Sequence, residues 1–153
     1  MVIEEDFKLD FSSVLIRPKR STLKSRKEVD LFRTTIFRNS KEEYIGIPIM
    51  AANMDGVGTF KIADALAKHN LFTCLVKTYS VNDLANYYDN RIDDFEYRKN
   101  NVIYSMGISD NDYEKFKKVY DHTGSNIKYV CIDVANGYSE RFLNFCKKFR
   151  DSY

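Results

Sequence analysis

From residue 45 onward, short unbroken apolar runs alternate with segments whose apolar residues recur every three or four positions. IGIPIMAANM (45–54) reads as a buried strand followed by a polar loop. GTFKIADALAKHN (58–70) sets Phe60, Ala63, Leu66 and Ala67 at helical spacing, with Asn70 as its stop. LFTCLVK (71–77) is a second apolar run of strand length. Ser80 and Asp83 then make a capping-box start for SVNDLANYYDN, whose Leu84, Tyr87 and Tyr88 share one side. The cycle repeats with VIYSMGIS (102–109) as strand and Ser109 with Asp112 as the next helix start. DYEKFKKVYDH carries Phe116, Val119 and Tyr120 on one face. KYVCIDVAN (128–136) is the fourth run, and SERFLNFCKKFRDSY places Phe142, Phe145, Cys146 and Phe149 at i, i+3, i+4 and i+7.

Strand–helix units in series predict a parallel α/β architecture, and runs without period-two alternation fit strands covered on both faces. Four such units make either a small open doubly wound sheet or half of an eight-unit barrel. A whole barrel takes about 250 residues, and this chain has 153. No strand is followed by G-x-G-x-x-G, and no G-x-x-x-x-G-K-[ST] loop occurs. Residues 1–44 stand outside the rhythm as an N-terminal extension, and 45–153 hold the four units. Within the extension RPKRSTLKSRK (17–27) is dense in positive charge, either a solvated surface or a phosphate-contacting arm.

Composition narrows the function classes. With 24 basic and 22 acidic residues the formal net charge is +2, too small a field to point to nucleic acid or an anionic membrane. No apolar run approaches the ~18–20 residues of a membrane span. The acidic start MVIEEDFKLDF lacks the order of a signal peptide, so a cytoplasmic location is expected. Cys74, Cys131 and Cys146 match no zinc, redox or disulfide spacing, and each sits in an apolar stretch as a small reduced hydrophobe. His69 and His122 read as helix-end surface residues, so no metal site is expected.

The polar residues that end the apolar runs carry the candidate chemistry: Asn53 and Asp55, Lys77, Ser109 and Asp110, Asp133 and Asn136. Ligands of parallel α/β folds bind at the carboxyl ends of the strands. Lys77 closes an apolar run without an acidic neighbour in sequence. It is either a lysine snorkelling from a strand end or a cation set against a phosphate or a nicotinamide carboxamide. Asp133 is either a turn cap or part of the same site.

DFSSVLIRPKRSTLKSR (10–26), IPIMAANMDGVGTF (47–60) and YVCIDVANGYSE (129–140), in this order, closely resemble GMP reductase, of the IMP dehydrogenase/GMP reductase family. The likeness runs from about residue 4 to the last residue and corresponds to the N-terminal part of that enzyme. It implies the first four units of a (β/α)8 barrel and the conversion of GMP and NADPH to IMP, ammonia and NADP⁺ in purine salvage. In that chemistry a cysteine attacks purine C2, ammonia leaves, and hydride reaches the same carbon, which divides one difficult step into two.

Transferred by motif, the resemblance places cofactor contacts at Ser25 and Arg26, the arm reaching a neighbouring subunit's cofactor, and at Lys77, Asp133, Val134 and Ala135. It places Asn53, Met54 and Asp55 against the purine. It implies a homotetramer, and a potassium loop, a nucleophilic cysteine and a GMP-phosphate site downstream of residue 153, so no catalytic residue is expected in this chain. Two positions depart from the family pattern: Gly56 stands where threonine is usual, and Val76-Lys77-Thr78-Tyr79-Ser80 replaces a histidine-flanked lysine. The alternatives are an inactive half-barrel acting as a binding or regulatory partner, a relic that does not fold, or an independent flavodoxin-like domain.

Overall fold

The computed structural model describes residues 6–89 and 95–153. The chain divides into two compact units, residues 1–30 and 31–153. In the first, two short 3-10 turns are each started by a side-chain cap. Asp10 accepts from the Phe11 N–H at 2.7 Å and Ser25 from the Lys27 N–H at 3.2 Å. Its apolar side chains Phe7, Phe11, Leu15 and Ile16 are exposed.

The second unit begins with a hairpin of β1 (Arg33–Ile36) and β2 (Glu43–Gly46), paired antiparallel. A four-stranded parallel sheet follows in the order β3 (Met50–Ala51), β4 (Phe72–Cys74), β5 (Val102–Met106) and β6 (Tyr129–Ile132). Helices α1 (Phe60–Ala67), α2 (Val81–Tyr87), α3 (Phe95–Asn101) and α4 (Asp110–Thr123) lie between the strands, and α5 (Glu140–Ser152) follows the last. Among the described residues no helix is long and apolar enough to cross a membrane.

The capping boxes expected at Ser80/Asp83 and Ser109/Asp112 are both formed, and Asn70 ends its segment with φ at 55°. Three expectations change. The run 45–54 is not one buried strand: Ile45 and Gly46 belong to the hairpin, and only Met50 and Ala51 join the parallel sheet. Pro48, which has no N–H to give a ladder, lies between the two pieces. Met50 is half exposed, because β3 is an edge strand. The run at 128–136 is also only half-buried, since β6 forms the opposite edge.

Third, α3 had no apolar periodicity to betray it. It is held by charge: Arg98 grips Asp64 of α1 with two nitrogens at 2.9 and 3.2 Å and lies 4.5 Å from the Tyr87 ring centre. Tyr87 donates its hydroxyl to the same carboxylate at 2.8 Å. Such a fork is directional enough to fix a short helix that propensity alone would not.

The main core lies between sheet and helices, where Val102, Tyr104 and Met106 of β5 meet Leu84, Tyr88, Phe116 and Val119. The opposite face of the sheet carries Phe72, Cys74 and Ile103, with Tyr44 from the hairpin stacked on Phe72 at 4.3 Å. Tyr88 is fully buried and its hydroxyl has no partner. Burial drives its phenol well above the usual range, with Tyr104 and Cys74 adding to the shift. Removing an unpaired buried hydroxyl while keeping the ring relieves a desolvation cost. Tyr88→Phe is therefore expected to stabilise the fold by about 1 kcal/mol, read as a higher urea midpoint with unchanged slope. A lower midpoint would mean the hydroxyl is satisfied in solution.

Candidate functional site

The loops after the four parallel strands share one edge of the sheet, and most of the candidate residues of this unit lie on them. The loop after β3 turns sharply at Met54–Val57, where the Val57 N–H donates to the Met54 carbonyl at 3.0 Å. Gly56 sits at the third position of this turn with φ at 75°. A type II turn requires positive φ there, a value that a β-branched threonine rarely adopts. Met54 and Asp55 are exposed at the tip, and Asn53 is half-buried.

The tail of this loop is pressed against the end of β4. Val76 donates its N–H to the Gly58 carbonyl at 2.8 Å. A Cβ at Gly58 would collide with the Cys74 carbonyl and come within 2.7 Å of the Val76 nitrogen. Both are backbone atoms that cannot rotate aside. Gly58→Ala is expected to cost about 1–3 kcal/mol, seen in the thermal midpoint, and to displace the loop bearing Asn53. An unchanged midpoint would show that the two backbones are not in contact.

Lys77, in the loop after β4, is exposed, and its carbonyl accepts a hydrogen bond from Lys115 Nζ at 2.7 Å. A ring stack fixes this loop on the helices: Tyr79 lies 3.8 Å from Phe60, and Phe60 4.2 Å from Tyr87. Tyr79 also accepts the Phe60 N–H at 3.2 Å. In the loop after β5, Ser109 and Asp112 close the start of α4. Burial raises the Asp112 carboxyl, but hydrogen bonds from Ser109 and the Gly107 backbone, with the charge of Lys77, outweigh it and hold the group below its usual range. Lys115 is lowered by its own partial burial, against the pull of Asp112.

The loop after β6 begins with Asp133, whose N–H donates to the Met106 carbonyl at 2.8 Å. Its carboxylate accepts from Asn53 Nδ2 at 3.0 Å, a contact spanning 80 residues of sequence. The first and last loops of the sheet are thus tied across its carboxyl edge. Val134 is half-buried and Ala135 exposed beside Asp133.

The structure therefore brings Asn53 and Asp133 into contact and sets Met54, Asp55, Lys77, Val134 and Ala135 on the same edge. Ser25 and Arg26 lie in the other unit. There the Ser25 hydroxyl caps the turn Arg26–Glu28, and Arg26 is exposed. Sequence reading missed Asp112 and Lys115 as the electrostatic neighbours of Lys77. The capping box marked Asp112 for a local role only, and a lysine on a charged helix carries no signal of its own.

It also missed that Cys131 packs against the apolar cluster that holds Cys74. The neighbouring Cys74 thiol holds that of Cys131 below its usual range, and Cys74 is itself driven up by Cys131 and by burial. Among the described residues no group of three or more His, Cys, Asp and Glu side chains is placed to hold a metal ion.

Residues 8–153 match the family described as IMP dehydrogenase / GMP reductase domain. A GMP reductase of Onchocerca volvulus is 50% identical over 99% of this chain and 41% of its own length. One from Buchnera aphidicola is 50% identical over 100% and 43%, and GMP reductase 1 of Homo sapiens 48% over 99% and 42%. The chain thus spans well under half the length of these relatives. In fold it resembles the crystal structure of inosine 5'-monophosphate dehydrogenase from Legionella pneumophila. The TM-score is 0.68 at 20% identity, over 92% of this chain and 40% of that one.

Proposed function

Because the chain belongs to the IMP dehydrogenase/GMP reductase family, we propose that it is the N-terminal part of a GMP reductase, converting GMP and NADPH to IMP, ammonia and NADP⁺. The observation that carries this reading is 48–50% identity to those three GMP reductases across essentially the whole chain. In this reading residues 1–44 are the extension and 45–153 the first four units of a (β/α)8 barrel. The complete enzyme is a cytoplasmic homotetramer that uses a monovalent cation such as potassium.

The carboxyl edge of the sheet fits a nicotinamide nucleotide. The Asn53–Asp133 hydrogen bond holds two loops together while Lys77, Asp133 and Ala135 stay exposed. Bound NADPH would supply the hydride. Lys77 would present a cation to it, and Asp133, oriented by Asn53, would accept a hydrogen bond, with Val134 and Ala135 closing the same side. Ser25 and Arg26 would contact the cofactor of a neighbouring subunit, Arg26 through a planar fork suited to phosphate. Asn53, Met54 and Asp55 would face the purine of GMP. None of Cys74, Cys131 and Cys146 follows the glycine and serine residues that precede the family's nucleophile, so the attacking thiol is assigned to a segment outside these residues.

A chimera joining residues 1–153 to the remaining part of the Onchocerca volvulus relative tests this reading. It is expected to oxidise NADPH only when GMP is present and to yield IMP, while the 153-residue chain alone does neither. Turnover by the chain alone would overturn the assignment of the nucleophile. A folded chimera that binds neither GMP nor NADPH would overturn the reading as a whole. The exposed apolar side chains of Ile49 and Met50 at the sheet edge favour, as a second reading, an inactive half-barrel that pairs with complete subunits. Stable co-elution with a complete GMP reductase that leaves its activity altered would support that reading.

A further inference from the structure

Lys115 of α4 reaches over to the loop after β4 and donates from Nζ to the Lys77 carbonyl at 2.7 Å, a contact spanning 38 residues of sequence. Its side chain is half-buried, and that burial lowers the ammonium against the pull of Asp112. A lysine head is strongly hydrated and keeps its water unless a specific partner replaces it. Here the partner is one backbone oxygen of an exposed residue. Lys117 and Lys118, on the same helix, stay exposed.

The loop is fastened on both sides of Lys77. Before it, Leu75 donates its N–H to the Ile103 carbonyl at 2.9 Å, and Val76 to the Gly58 carbonyl at 2.8 Å. After it, Tyr79 stacks on Phe60 at 3.8 Å, and the Ser80 N–H is capped by Asp83 at 3.1 Å. The Lys115 bond holds the peptide plane that follows Lys77 itself. That plane fixes ψ of residue 77, and with it the direction in which the side chain leaves the loop. Lys115 is in turn steadied by Asp112, one helical turn earlier. The Asp112 carboxylate accepts from the Ser109 hydroxyl at 2.6 Å. It packs so closely on Gly107 that a Cβ there would stand 2.6 Å from it.

We propose that Lys115 is a positioning residue for NADPH, which sets the peptide of Lys77 so that the Lys77 ammonium faces the nicotinamide nucleotide. The inference rests on the reading of Lys77 as a cofactor cation and adds the residue that aims it. Lys115 acts through the Lys77 carbonyl and does not touch the nucleotide. Without Lys115, Lys77 keeps its charge but turns freely at its backbone.

The test uses a GMP reductase carrying these residues, in which Lys115→Met keeps the stem and removes the donor. Kd for NADPH is read from nucleotide fluorescence with GMP absent, and KM for both substrates and kcat from turnover. Lys115→Met should raise Kd and KM for NADPH about 10-fold, with KM for GMP within about twofold. Lys115→Arg, which restores a donor, should recover most of the loss, and Lys117→Met, which removes an equal charge from the same helix, should change nothing. In a Lys77→Ala background Lys115→Met should add no further loss, because residues acting through one contact are not additive. A parent-like Kd in Lys115→Met beside a weakened Lys77→Ala would overturn the role of Lys115 and leave that of Lys77 standing. Fully additive losses would overturn it too, since Lys115 would then meet the nucleotide directly. A parent-like Lys77→Ala would remove the cofactor role of Lys77 and the positioning role with it. Should Lys115→Met fail to fold, Lys115→Gln, too short to reach the carbonyl, is read by the same criteria.

Discussion

Replacing Phe116 by alanine is expected to destabilise the fold by about 3–5 kcal/mol, the range for deleting a large ring from a packed core. The side chain is 1% exposed and lies at the centre of an aromatic cluster. Tyr104 and Phe149 meet it edge-on at 5.2 and 5.0 Å, Tyr120 lies over it at 5.5 Å, and Tyr153 meets it at 5.0 Å. These rings come from β5, α4, α5 and the residue after α5, so the cavity would open where sheet and helices join. Rigid rings close such a cavity poorly, which sets the cost at the upper end. Against a typical total of about 5–15 kcal/mol, the loss removes much of the stability. Urea unfolding followed by circular dichroism checks it, with Leu143→Ala as control. Leu143 is 59% exposed on α5, and its loss should stay within about 0.5 kcal/mol. Equal effects from the two substitutions would show that the aromatic cluster is not the core.

The second large effect concerns Lys77. In a GMP reductase carrying these residues, Lys77→Ala is expected to raise KM for NADPH roughly 10–150-fold, the equivalent of about 1.5–3 kcal/mol for a lost charge-assisted hydrogen bond. GMP binding should stay within about twofold. The competing role for Lys77 is structural, as the cation that helps to keep Asp112 ionised at the start of α4. The two roles separate cleanly. Loss of the structural role would lower the thermal midpoint and leave KM for NADPH unchanged, whereas equal loss of NADPH and GMP binding would show that Lys77 serves the whole edge rather than the cofactor. The bond from Lys115 to the Lys77 carbonyl uses backbone, so the substitution leaves the loop anchored.

Much of the fold was legible because it is written in local signals. The two capping boxes are satisfied within four residues of sequence, so Ser80 with Asp83 and Ser109 with Asp112 needed no tertiary context. The faces of α2 and α4 were legible because Leu84, Tyr87, Phe116 and Val119 recur at the helical period and meet one common core. In contrast α3 is a polar seven-residue helix whose stability comes from Arg98 reaching Asp64, 34 residues away. No window of sequence contains both partners. The run at 45–54 misled for a related reason: apolar content marks burial, but which sheet a residue joins depends on partners. Ile45 found Thr34 across the hairpin, and Met50 found Phe72.

For the candidate site, the sequence by itself determined the residue types and their positions at the ends of apolar runs. It also carried the motif likeness that named Asn53, Lys77 and Asp133 before any contact was known. Only the tertiary structure decided that Asn53 and Asp133 touch, that Lys77 shares its surroundings with Asp112 and Lys115, and that Cys131 packs against the cluster holding Cys74. A strand's register and a sheet's curvature set those distances, and both arise from long-range pairing and packing. The chain order of these residues, spread over 80 positions between Asn53 and Asp133, records their chemistry but not their proximity.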